Sequence, residues 1–194
     1  MKHDKHGITL SVPRIYQVLN EKFEIKSKWK KGTVIKGPVP TAQASREIVQ
    51  MDTIDFGGVF AFTAIDIVAR DADVFMAPAL TSIFGKAFLE FTMPRRLDGY
   101  VNLIQTDGGS EFKDVFSENV LRFCAKRRVS RPYKKNEQAY IESFNRTVRK
   151  ECLGWQKYRV DQLEDCQKLV ESFLERYHYH RPHMGLGMKP PLIK

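Results

Sequence analysis

Cysteine is scarce in this chain: three residues in 194, Cys124, Cys152 and Cys166, with no CxxC spacing among them. An odd number cannot pair completely, so neither a disulfide framework nor a cysteine zinc site is expected. Long apolar runs are missing as well. No stretch approaches the roughly 18 residues of a membrane span, and MKHDKHG leads into no apolar region of the kind a signal peptide needs. A cytoplasmic protein without membrane attachment is the expectation. Internal repeats and low-complexity tracts are absent, and hydrophobic (42%) and charged (28%) fractions are ordinary, which excludes a fibre, a disordered tail or a coiled coil as the whole answer.

What is present is charge, unevenly spread. The net charge is +9, and successive blocks 1–50, 51–100, 101–150 and 151–194 carry +6, −3, +5 and +1. Basic segments flanking an acidic one suit a polyanion partner, with carboxylates in the acidic block available to metal ions held against it.

Residues 1–24 contain one amphipathic helix over 9–23, with Ser11 as N-cap before Pro13. Residues 25–45 form a basic, Gly/Pro-punctuated linker. From Ile48 the pattern changes to strands: IVQMDTIDF, a Gly57-Gly58 turn and VFAFTAIDIV read as an antiparallel hairpin. Asp73–Leu80 reads as a third strand at a sheet edge, because Pro78 interrupts it. A helix from Thr81 to about Met93, stopped by Pro94, precedes a fourth strand over 101–106. The pattern then predicts a helix over 112–126, a fifth strand over 129–132, and helices over 138–152 and 161–177. A meander followed by crossovers gives an α/β mixed sheet covered by helices, with the fourth strand beside the first.

Two carboxylates fall at telling places. Asp52 lies inside the first strand, where an uncompensated charge is costly, and Asp107 follows the fourth strand in TDGGSEF. On adjacent strands roughly 4.8 Å apart, both project into one small volume. Glu142 opens the helix predicted over 138–152. Three hard oxygen ligands suit a pair of Mg²⁺ or Mn²⁺ ions acting on a phosphodiester. Asp55, Asp71 and Asp114 read as solvated acids, and Asp66 as an ion pair or turn cap. On a helical wheel of about 100° per residue, Gln138, Asn145, Arg146 and Arg149 share the face of Glu142. A basic cluster of Lys126, Arg127, Arg128, Arg131, Lys134 and Lys135 precedes that helix, and phosphate contact is expected from both groups. His178, His180 and His183, with no cysteine nearby, read as packing residues that hold the tail.

MDTIDF, AIDIVARD, QTDGGSEF, YIESFNRTVRKE and YHYHRPHMGLGMKPP occur in this order. On these motifs residues 46–191 resemble the integrase catalytic core of the retroviral integrase and bacterial insertion-sequence transposase superfamily. The Asp107–Glu142 spacing is one residue shorter than usual there. The resemblance implies a ribonuclease-H-like five-stranded sheet, order 3-2-1-4-5 with strand 2 antiparallel. It implies Asp52, Asp107 and Glu142 as catalytic residues and ligands of two Mg²⁺ or Mn²⁺ ions. Gln138, Asn145, Arg146, Arg149, Lys134, Lys135 and Arg131 become DNA-binding residues. Element ends and target DNA are the implied partners of a homo-oligomer, nucleoid-associated if bacterial, with no small-molecule substrate. The first helix resembles the last helix of a helix-turn-helix region. A nuclease of the same fold that does not join strands, and an inactive DNA-binding relic, are the alternatives.

Overall fold

Along residues 48–55 the side chains go alternately to two cores. Val49 and Met51 join an apolar cluster on one side of the sheet, and Ile54 joins another on the opposite side. Burial on both faces explains the near-continuous apolar strands. The computed structural model describes residues 2–3, 9–22, 41–131 and 136–192. The chain divides into two compact units, Met1–Val34 and Ile35–Lys194.

In the first unit, β1 (Lys2–His3) pairs antiparallel with β2 (Thr9–Leu10), and α1 runs from Val12 to Lys22. The Ser11 Oγ accepts the Arg14 amide at 3.4 Å, the N-cap expected of that position. Most of the predicted linker lies outside the described residues.

The second unit contains β3 (Ile48–Asp55), β4 (Phe60–Asp66), β5 (Ala72–Ala77), α2 (Ser82–Arg96), β6 (Val101–Thr106), α3 (Asp114–Val120), β7 (Cys124–Val129), α4 (Ala139–Val148) and α5 (Leu163–Tyr179). The sheet order is β5-β4-β3-β6-β7. Counted within the sheet this is 3-2-1-4-5, and only its second strand, β4, runs against the others. Helices α2 and α3 supply the core on one face with Phe88, Leu89, Met93 and Phe116. Helices α4 and α5 cover the other with Ile141, Phe144, Val170 and Leu174.

Three predicted boundaries are corrected. Pro94 lies inside α2 rather than ending it, because a proline in the last turn costs the helix only one late hydrogen bond and Leu97 N–H still closes on the Met93 carbonyl at 3.0 Å. The helix predicted over 112–126 is short: a 3₁₀ turn over Ser110–Phe112 and then α3. The fifth strand is CAKRRV, residues 124–129, not 129–132. As the outer strand it buries little beyond Cys124, so no apolar alternation marks it. Its lysine and arginines are the charges that discourage further strand pairing at an edge.

Gly85 sets how close α2 comes to the loop after β6. A Cβ there would lie 2.4 Å from the Glu111 carbonyl oxygen, inside contact distance of backbone that has little room to move. Gly85→Ala is therefore expected to destabilise the fold by roughly 1–3 kcal/mol through overpacking, measured as a lowered midpoint in urea.

Candidate active site

Asp52 sits on the α4 side of β3, and its environment opposes its charge. Burial first, then the negative charges of Asp107, Glu111 and Glu142, push its carboxyl up to about 7 against the opposing effect of the Thr53 backbone N–H. Its Oδ2 accepts a hydrogen bond from Asn145 Nδ2 at 2.8 Å. The Thr63 hydroxyl lies 2.8 Å from Asn145 Oδ1 and 3.1 Å from the Asp52 carbonyl. Strands β3 and β4 and helix α4 thus meet at one carboxylate.

The register brings Asp107 to it. Gln50 pairs with Gln105 in the parallel β3–β6 ladder, so Asp52 and Asp107 each stand two residues further along neighbouring strands. Residues two apart on a strand share a face. Asp107 falls just past the end of β6, where its Oδ1 accepts the Gly109 amide at 2.9 Å.

Glu142 is carried by the first turn of α4, and the start of that helix is tied to both strands. The Glu137 carbonyl accepts from Gln50 Nε2 at 2.7 Å and from Gln105 Nε2 at 2.9 Å. Gln50 Oε1 accepts the Ile141 amide at 3.0 Å, one of the N–H groups that a helix start leaves without a partner in the helix. All three bonds are buried.

Asp52, Glu142, Asn145, Arg146, Arg149 and Trp155 line a cavity of about 310 Å³ together with residues 53–55 of β3. Asp107 acts on Asp52 through its charge and is not one of the residues lining it. Among the described residues no three His, Cys, Asp or Glu side chains stand close enough to ligate one ion. The donor set nevertheless fits a divalent cation: mutually repelling carboxylates, Asp52 half-buried among them, with a neutral amide rather than a cation against it.

The DNA-binding candidates have different surroundings. Arg146 is exposed on the cavity wall. Asn145 holds Asp52. Arg149 Nη2 donates to the Asp55 carbonyl at 2.9 Å. Arg131 Nε donates to Glu137 Oε1 at 2.7 Å, so its charge is matched within the chain. Gln138 caps α4, its carbonyl accepting the Glu142 amide at 3.0 Å. Lys134 and Lys135 lie outside the described residues. Asp71 is not a solvated acid: it is buried and paired with Arg46 at 3.0 Å. Asp66 Oδ1 accepts the amides of Val68 and Ala69 at 2.7 and 2.9 Å and Oδ2 takes Arg46, so it is both a turn cap and an ion pair, as expected. His178 is buried with Nδ1 on the Leu174 carbonyl at 2.7 Å, and His183 packs edge-on against Tyr177.

Two features escaped the sequence reading. Glu111 is a buried fourth carboxylate whose Oε1 accepts the Thr53 hydroxyl at 2.8 Å; the only signal was its place in DGGSEF. The glutamines carried a clearer one, since each aspartate is preceded two residues earlier by Gln in a strand interior, QMD and QTD.

The structural class follows from this arrangement: a ribonuclease-H-like integrase-type core. The catalytic core domain of BIV integrase shares the fold, with TM-score 0.54 and 18% identity over 75% of this chain and 91% of that domain. The family described as Integrase core domain matches residues 124–191. In sequence the chain is similar to the uncharacterized 39.2 kDa protein of insertion element IS476 from Xanthomonas euvesicatoria, 30% identical over 48% of this chain and 27% of that protein. It is also similar to the uncharacterized 31.7 kDa protein of insertion element IS407 from Burkholderia multivorans, 25% identical over 73% of this chain and 50% of that one. The chain therefore spans half or less of the length of these curated relatives. The resemblance to the integrase core thus rests on both sequence and fold.

The raised carboxyl makes a prediction about stability. With Asp52 titrating at about 7 against an ordinary 3.8, the unfolded chain releases this proton first. Stability associated with the protonated group is complete below about pH 4 and is lost as the pH rises through 7. In EDTA, Asp52→Asn is expected to gain stability relative to the parent between pH 5 and pH 8, by roughly 2 kcal/mol, read from thermal unfolding at both pH values.

Proposed function

We propose that the chain is the catalytic core of a DNA transposase or integrase that hydrolyses a phosphodiester and then joins the freed 3′ end to target DNA. The observation that carries this reading is the shared register of Asp52 and Asp107, with the Glu142 helix tied to the same two strands. Similarity to insertion element proteins supports it. Asp52, Asp107 and Glu142 would hold Mg²⁺ or Mn²⁺, two ions in the active complex, which supply Lewis acidity to the attacking and leaving oxygens.

The chain's own residues have distinct parts. Asn145 fixes one carboxylate oxygen of Asp52 and leaves the other for a ligand. The Gly109 amide orients Asp107. Arg146 faces the cavity with its charge available to a phosphate, and the basic β7 edge extends a positive surface. Element ends and target DNA are the proposed partners, with more than one copy of the chain on the DNA. Among the described residues no helix is long and apolar enough to cross a membrane.

Asp107→Asn removes a charged ligand with little change in volume. It is expected to abolish nicking and joining of a labelled duplex in Mn²⁺ while leaving the circular dichroism spectrum unchanged. Retained activity would reject the metal-site assignment, and nicked product without joined product would identify a nuclease.

Arg146→Ala is expected to leave the melting temperature nearly unchanged and to flatten the slope of log K against log salt by about 0.9, one phosphate contact. Arg149→Ala is expected to lower the melting temperature as well, because that guanidinium is also bonded within the fold.

A further inference from the structure

Helix α4 does not end in an ordinary cap. It runs into a single π turn, Arg149–Leu153, and then into Gly154 at φ +75°, a backbone conformation that side-chain-bearing residues rarely adopt. This reversal brings Trp155 beside the last turn of the helix. The Arg149 guanidinium carbon lies 4.7 Å from the centroid of the Phe56 ring and 5.1 Å from that of Trp155. Its bond to the Asp55 carbonyl fixes it between the two rings.

The result is a run of two cation–ring contacts that begins in the core and ends in solvent. Phe56 is 1% exposed and Trp155 is 68% exposed. A large aromatic ring left this exposed forgoes the burial that normally stabilises it. Here the exposed ring is braced from one side by a cation and lines the same cavity as Asp52 and Glu142. A braced, flat, apolar surface among arginines matches a nucleobase attached to a phosphate backbone. Inside duplex DNA both faces of a base are covered by its neighbours, so away from a blunt terminal pair the ring is accessible to a base that has been unpaired.

We propose that Trp155 is a stacking platform for an unpaired base at the end of the DNA strand that enters the cavity beside Asp52 and Glu142. This rests on the DNA-processing function proposed above and adds to it a preference for opened or frayed ends.

The test uses the full chain with Trp29→Phe, which leaves Trp155 as the sole tryptophan. Three duplexes of equal length are titrated in Mg²⁺ buffer: one blunt, one with three unpaired nucleotides at an end, and one with the same overhang made abasic. Trp155 emission is expected to be quenched by the unpaired end and little changed by the blunt or abasic ones. Trp155→Ala should weaken binding of the unpaired-end duplex by at least about fivefold with little effect on the blunt duplex, and Trp155→Phe should restore most of the loss. Tight binding without selective quenching, or an equal loss on all three duplexes, would overturn the platform and leave the proposed function standing. Failure to bind any of the three would overturn both.

Discussion

One backbone carbonyl, that of Glu137, holds the site together. Two buried side-chain amides from neighbouring strands, Gln50 and Gln105, converge on it at 2.7 and 2.9 Å, and Gln50 also takes the Ile141 amide. Leaving a buried donor or acceptor without its partner costs about 1–3 kcal/mol each, so the start of α4 has little freedom to drift from the sheet. Everything that α4 carries inherits that position: Glu142 on its first turn, Asn145 against Asp52, Arg146 on the cavity wall, Arg149 between two rings. The tie consists of neutral groups. Ionic strength, which governs contact with a polyanion, leaves it unaffected.

Against that tie works a concentration of negative charge. Asp52 is half-buried near Asp107, Glu111 and Glu142, with Asn145 hydrogen-bonded to its carboxylate. A fold seeking only stability would place an apolar residue at position 52, whose neighbours Met51 and Ile54 are wholly or nearly buried. Repulsion of this kind persists where the surrounding structure determines the geometry more strongly than the charges oppose it, and such places are disproportionately functional. The π turn and the exposed Trp155 a few residues on are a second local departure from the most stable arrangement, on the wall of the same cavity.

The sheet was legible in the sequence because β3, β4 and β6 are buried on both faces and announce themselves as apolar runs bounded by glycine. Strand β7 was not, since an outer strand rich in lysine and arginine has no apolar period to read, and its first residues extended the preceding helical pattern instead. The elements that carry Asp52, Asp107 and Glu142, a strand, the end of another and a helix start, were legible from the same pattern. The partners of the basic residues were not, because a helical wheel shows which side chains share a face and not what lies opposite. Arg131 meets Glu137 and Arg149 meets Asp55 and Phe56, contacts that no helical wheel displays. Asp71 was misread for the same reason: Arg46, its partner, stands 25 positions away.

The two borders of the sheet are closed by different means. Along β5 the outward amides of Ala72 and Met76 are taken by His178 and Gln167 of α5, at 3.2 and 3.0 Å. Along β7 the exposed Lys126 and Arg128 make approach by another strand unfavourable. Both borders disfavour pairing with a strand of a neighbouring polypeptide. Under the function proposed above, contacts between copies of the core fall to its helical and loop surfaces rather than to a continuous intermolecular sheet.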